Sequence, residues 1–136
     1  LPMPAVDPSA LEQAVADRAF APAYYLHGDD DFQKEAAARA LVDAAVDPAT
    51  RDFNLETRRG SELDGETLAS LLATPPMMAD RRLFVLRDVG ALKKDARQAL
   101  DRYLQHPAAD GADRAALFDG DRQAGRGGAR PGRRRP

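Results

Sequence analysis

Ala23-Tyr24-Tyr25-Leu26-His27-Gly28-Asp29-Asp30-Asp31-Phe32-Gln33-Lys34-Glu35 reads as a short apolar strand that meets a helix through a glycine turn. The tyrosines favour a strand, and the alanine-rich run after Glu35 has high helix propensity. A phosphate loop, G-x-x-x-x-G-K-[ST], occupies this same place between a strand and a helix. Here Gly28 and Lys34 keep its spacing, but Gln33 replaces the second glycine and Glu35 replaces the hydroxyl that holds Mg²⁺. Backbone amides cradle phosphate only where glycines allow close approach. Each of the intervening aspartates, at roughly 5 Å from a triphosphate, would cost about 1 kcal/mol even in water-like screening. Gly28, Gln33, Lys34 and Glu35 therefore mark a degenerate nucleotide position that is not expected to bind nucleotide. Gly28 then serves the turn alone, and the aspartates cap the helix, where the dipole favours anions.

The flanking segments extend the same pattern. Residues 9–20 suggest an amphipathic helix, with Ser9 and Glu12 spaced as a capping box. The helix after the glycine turn is expected over 31–46, with Ala37, Ala38, Leu41, Ala44 and Ala45 on its apolar face and Asp47-Pro48 as its stop. Phe53 to Thr57 alternates apolar and polar, the period of a half-exposed strand, and Gly60 breaks it. Residues 64–72 form the next expected helix, with Leu63, Leu68, Leu71 and Leu72 inward, and Thr74-Pro75-Pro76 ends it because a residue before proline avoids helical geometry. Leu83-Phe84-Val85-Leu86 is the most apolar strand, the signature of burial on both faces in a parallel sheet. A last helix is expected over 93–105, closed by His106 and Pro107. Phe32 is expected in the core, and Arg81, Arg82 and Arg87 as solvated charges at the ends of a strand. Alternating strands and helices of this kind imply an α/β fold with a mainly parallel sheet and right-handed crossovers.

Composition narrows the function classes. The 136 residues amount to about one domain, enough to bury a core without metals or disulfides. With no cysteine, zinc–thiolate sites and thiol nucleophiles are excluded, and two histidines are too few for a histidine-rich metal site. No apolar run approaches the roughly 20 residues of a membrane span. Pro2, Pro4 and Asp7 interrupt any signal-peptide pattern, so a soluble cytoplasmic protein is expected. The formal net charge of −2 hides an asymmetry: residues 111–136 carry seven arginines against three aspartates, a net +4 beside an acidic body. That segment is Gly- and Arg-rich, and its one apolar spot is Ala115-Ala116-Leu117-Phe118. It is expected to bury too little surface to offset its ordering entropy. A strand is due by alternation near 111–115, and none is expected there.

Taken together, several segments resemble the N-terminal domain of the delta subunit of bacterial DNA polymerase III, the clamp-loader part that opens the sliding clamp. They are Tyr24 to Asp30 with the helix near Phe32, Phe53-Asn54, the run from Leu71 through Thr74-Pro75-Pro76-Met77-Met78-Ala79-Asp80-Arg81-Arg82 to Arg87, and Leu100 to Leu104 with Pro107 beyond. The resemblance covers roughly residues 20–110. It implies an AAA+-type three-layer sandwich that uses no ATP itself, no catalytic residues, cofactor or metal of its own, and a non-catalytic place in a polymerase holoenzyme. It implies the sliding clamp as partner, other clamp-loader subunits met through a collar domain not seen in this sequence, and DNA reached indirectly. In the family a hydrophobic pair at a helix tip before the third strand enters a pocket on the clamp, and by motif position that pair is Met77 and Met78. Methionine adapts to a partner's groove, and apolar side chains clustered on a turn suggest binding; folding back onto the core is the alternative. In this fold type the fourth strand lies between the first and the third. The reading is thus an incomplete domain over 1–110 with its C-terminal strands missing, and a tail over 111–136 that is disordered or the product of a slipped reading frame. A missing central strand would leave unpaired backbone groups costing about 1–3 kcal/mol each if buried, so marginal stability is expected.

Three other functions compete. An active P-loop ATPase would bind nucleotide through Lys34, against which stand the lost glycine and hydroxyl and the lack of an Asp-Glu pair at Asp88. A phosphoacceptor receiver domain is suggested by Asp29, Asp30 and Asp88 but lacks its late lysine strand. The arginine tail suggests nonspecific nucleic-acid binding, which would weaken steeply with salt.

Overall fold

The computed structural model describes residues 5–18, 20–106 and 114–119. A two-residue strand, β1 (Ala5–Val6), leads into helix α1 (Pro8–Ala16). Asp7 caps this helix, its carboxylate accepting from the Ala10 N–H at 2.9 Å, with Pro8 in the first turn. That corrects the expected Ser9 cap: proline suits the first helical position, and the cap falls two residues earlier. The helix also stops at Ala16, short of the expected residue 20, and Arg18 follows at φ 52°.

Strand β2 (Ala23–Leu26) then feeds helix α2 (Asp31–Ala45). Asp30 caps α2 by accepting from the Gln33 N–H at 3.1 Å, as the aspartate-rich turn implied. Next comes α3 (Arg51–Asn54), a single helical turn that runs directly into β3 (Leu55–Arg59). The alternation read from Phe53 onward therefore starts too early, because Phe53 and Asn54 are helical. Helix α4 (Gly65–Ala73), strand β4 (Arg82–Arg87) and helix α5 (Lys94–Gln105) follow close to their expected places.

The largest correction comes last. Residues Arg114–Asp119 form a strand, β5, although no strand was expected beyond 110. The sheet order is β1-β2-β5-β4-β3, and every pairing is parallel. β5 thus lies in the centre, with Leu117 beside Tyr24 on one side and Val85 on the other. The gap that would have left backbone groups unpaired is filled, so the expectation of missing C-terminal strands and its stability consequence do not hold for this position. The strand escapes a sequence reading because only Leu117 and Phe118 are bulky. The other parts of the 111–136 tail lie outside the described residues.

Side-chain alternation divides the core in two. Tyr24, Leu26, Leu83, Val85 and Leu117 face α1 and α2, where Leu11, Ala37, Ala38 and Leu41 pack on them. Ala23, Phe84, Leu86, Ala116 and Phe118 face α4 and α5, against Leu68, Leu72, Ala96 and Leu100. Helices on both faces of a parallel sheet make a three-layer sandwich, which is why β4 and β5 are apolar throughout their centres. Burying side chains of this size is worth roughly 1.5–3 kcal/mol each. Phe32 belongs to neither layer: it is 82% exposed on the first turn of α2, contrary to the expectation that it is core. Its position one residue after Asp31 points it away from the face that carries Ala37, Ala38 and Leu41. Among the described residues no helix is long and apolar enough to cross a membrane.

Candidate functional site

Two places carry chemistry beyond packing. The first is the turn after β2. Gly28 sits at φ +139°, a region that side chains rarely adopt, and a Cβ there would lie 3.4 Å from Pro8 Cδ. The glycine is thus needed for the backbone of the turn, while a Cβ would meet α1 at ordinary contact distance. Lys34, expected only as a spacing match, has its side chain buried to 6% exposure, with its ammonium 3.6 Å from Asp31 and 3.6 Å from Asp119. Asp119, at the end of β5, also receives Arg87 Nη1 at 3.1 Å. Arg87 in turn binds both oxygens of Glu35, Nη2 to Oε1 at 3.1 Å and Nη1 to Oε2. Glu35, standing where a Mg²⁺-binding hydroxyl would be, therefore closes a chain of ion pairs that ties α2 to β4 and β5. Gln33 gives its backbone N–H to the Asp30 cap.

The electrostatics of this chain are set by burial and pairing. Burial by itself lowers the Arg87 pKa, but the hydrogen bond and charge of Glu35, followed by the charge and hydrogen bond of Asp119, raise it above its ordinary value. The surrounding cleft is lined by four carboxylates, Asp31, Glu35, Asp88 and Asp119, against three cations, Lys34, Arg59 and Arg87. A site with that balance, whose lysine already contacts carboxylates, is poorly suited to a triphosphate. Among the described residues no group of three or more His, Cys, Asp or Glu is arranged to hold a metal ion.

The second place is the loop between α4 and β4. Thr74 ends α4, its hydroxyl donating to the Ser70 carbonyl at 2.9 Å, and Pro75-Pro76 prevents the helix from continuing. Met77 and Met78 come next, 53% and 72% exposed. They stand on the loop itself rather than on a helix. Met78 adopts φ 57°, a left-handed conformation that is uncommon for a methionine. Met77 is fastened by Asn54, a fully buried residue of α3. The Met77 N–H donates to Asn54 Oδ1 at 2.7 Å, and Asn54 Nδ2 donates to the Met77 carbonyl at 2.7 Å.

The same loop is held at its far end. The Arg81 guanidinium lies 4.5 Å from the centre of the Phe20 ring, a cation–π contact. Arg82, expected as a solvated strand-end charge, is instead 5% exposed. Its Nη1 donates to the Phe53 carbonyl at 3.0 Å, and its Nη2 lies 4.0 Å from Glu56. Arg87 is likewise an internal pairing residue rather than a free surface charge. Sequence reasoning missed Asn54 as a site residue. In the alternating run from Phe53 to Thr57, Asn54 reads as an ordinary outward polar position, so no local signal marked it.

The family model described as DNA polymerase III, delta subunit, matches residues 24–110. Among solved structures, the chain is similar to the Bacillus subtilis DNA clamp loader delta protein (YqeN), with a TM-score of 0.72 at 22% identity, over 83% of this chain and 35% of that one. It is also similar to the Thermotoga maritima RuvB Holliday junction branch migration motor, with a TM-score of 0.56 at 16% identity, over 86% of this chain and 36% of that one. At these identities the likeness concerns the fold, which is of the AAA+ type. The chain spans about a third of the length of each of these structures. No curated protein matches it.

Proposed function

Because the chain belongs to the DNA polymerase III delta-subunit family, we propose that it is a clamp-engaging module of a clamp loader. Met77 and Met78 are its anchor, entering an apolar pocket on the sliding clamp during DNA replication. The observation that carries this reading is the exposure of both side chains, 53% and 72%, on a loop whose backbone is pinned. A backbone already fixed spares docking the cost of ordering the loop, and the exposed part of each methionine gains burial in return for its rotamer freedom.

The module works without nucleotide or metal of its own. Support comes from Lys34, which is neutralised internally by Asp31 and Asp119, and from Glu35 on Arg87. It serves as a rigid platform, a non-catalytic subunit in the cytoplasm. Its contacts with other clamp-loader subunits require parts of the family's length beyond this chain, and DNA is reached through the assembly.

The test is an affinity titration of the 136-residue chain with the sliding clamp of the same organism. Exchanging both Met77→Ala and Met78→Ala is expected to weaken binding at least about tenfold, since a few buried anchors dominate interface energy. Unchanged affinity in the double variant rejects the assignment of the site.

A further inference from the structure

We infer that Asn54 is the positioning residue of the methionine loop: its buried carboxamide sets the loop geometry that presents Met77 and Met78. This rests on the clamp-engaging reading above for its functional consequence, and on geometry alone for its structural part.

Asn54 is 0% exposed and spends both ends of its amide on one backbone unit, 23 residues away in sequence. Its Oδ1 accepts from the Met77 N–H and its Nδ2 donates to the Met77 carbonyl, each at 2.7 Å, as a strand partner would do. The second amide hydrogen is directed to Thr50, with Oγ1 at 3.1 Å and the carbonyl at 3.3 Å. Thr50 therefore fixes the rotation of the amide and α3 fixes its place. A carboxamide offers a donor and an acceptor in this spacing at any pH, which a carboxyl group does only when protonated. The pair matters because Met77 precedes Met78, which holds a left-handed backbone at φ 57°. Such a conformation persists only where the surroundings over-determine it. Two hydrogen bonds one residue away supply that constraint, while neither methionine side chain is buried to supply it by packing.

The decisive variant is Asn54→Asp. The introduced carboxylate still accepts from the Met77 N–H, but when ionised it sets a negative oxygen against the Met77 and Thr50 carbonyls. Once protonated it has one O–H, which restores the bond to the Met77 carbonyl but not the one to Thr50. Charged groups on the surrounding elements are Arg51 and Asp52 on α3, Glu56 on β3, Arg82 on β4, and Asp80 with Arg81 in the loop. Burial favours the protonated form and the guanidinium of Arg82 favours the ionised form.

The experiment measures clamp affinity and the protection of the Met77 amide from hydrogen exchange at pH 8 and pH 5. The chain is studied as wild type, as Asn54→Asp, and with both methionines changed to alanine. The inference requires Asn54→Asp to lose at least about tenfold in affinity at pH 8 and most of that loss to be absent at pH 5. The wild type should hold its affinity, and the methionine variant should remain weak at both values. Wild-type affinity of Asn54→Asp at pH 8, or an equal loss at both pH values with β4 still protected, overturns it. If Asn54→Asp does not fold, Thr50→Val decides: a several-fold loss supports the inference, and an unchanged affinity overturns it. If the wild-type chain fails to bind the clamp, the functional reading fails, and the exchange data still judge the positioning role. A Met77 amide exposed only at pH 8 in Asn54→Asp upholds that role, and one protected throughout refutes it.

Discussion

The Lys34 ammonium lies 3.6 Å from the Asp119 carboxylate, joining the helix after β2 to the end of the central strand β5. Asp119 also binds Arg87 at 3.1 Å, so one carboxylate bridges two cations. Changing Asp119→Asn removes the counter-charge that the two share and is expected to destabilise the chain by about 1–3 kcal/mol. Lys34→Met should cost less, because it leaves Asp119 paired with Arg87 and fills the same volume with apolar atoms. Urea denaturation of both variants checks the ordering, and a larger loss for Lys34→Met contradicts the network.

The nucleotide position is expected to be silent. Titration with Mg-ATP should release no heat of binding, in the wild type and in Lys34→Ala alike. Saturable heat that disappears in Lys34→Ala would revive the ATPase reading. Gly28→Ala tests the turn separately. Its φ of +139° makes an expected loss of about 1–3 kcal/mol, with no effect on any ligand.

Strand β5 offers a sharper test of the fold. Phe118 is fully buried against the α4–α5 layer. Phe118→Ala is expected to destabilise by about 3–5 kcal/mol. If this residue belonged to a tail with no place in the sheet, the change would stay within roughly 0.5 kcal/mol. Thermal or chemical unfolding separates these values cleanly.

Helix α4 supplies a pH prediction. The Asp64 carboxyl is held below its ordinary 3.8, first by the backbone N–H of Thr67 and then by the Thr67 side chain. A group whose folded pKa is depressed stabilises the fold above its unfolded pKa and loses that contribution as pH falls through the folded value. Asp64 therefore helps stability at neutral pH, and its contribution fades below about pH 4. An NMR titration of its carboxyl carbon should give a midpoint below 3.8; a midpoint above that value contradicts the cap.

These residues also show what could be read without coordinates. β2, α2, β4 and α5 were legible because each repeats one strong pattern: a tyrosine-bearing run, an alanine face, four consecutive apolar residues, a spaced leucine stripe. Met77 and Met78 stood out as apolar residues after two prolines, where neither helix nor strand period accounts for them. Three features were hidden. β5 spans only six residues, and Ala115-Ala116 give it little hydrophobic signal in the sequence, although Ala116 is buried in the central strand. Arg82 looked like a solvated strand end because its partners, Phe53 and Glu56, are distant in sequence. Phe32 looked like core because its apolar side chain stands at the start of an amphipathic helix, yet it falls on the outer face. Each depends on which segments meet in three dimensions, a matter that local pattern does not settle.

The central claim is that the two loop methionines enter the sliding clamp. The chain has three methionines, so ¹³C-methyl NMR gives a spectrum that single Met77→Ala and Met78→Ala variants assign directly. On addition of the sliding clamp of the same organism, the methyl signals of Met77 and Met78 are expected to broaden and shift to positions typical of buried methyls. A complex that forms while both signals keep their free positions would contradict the account.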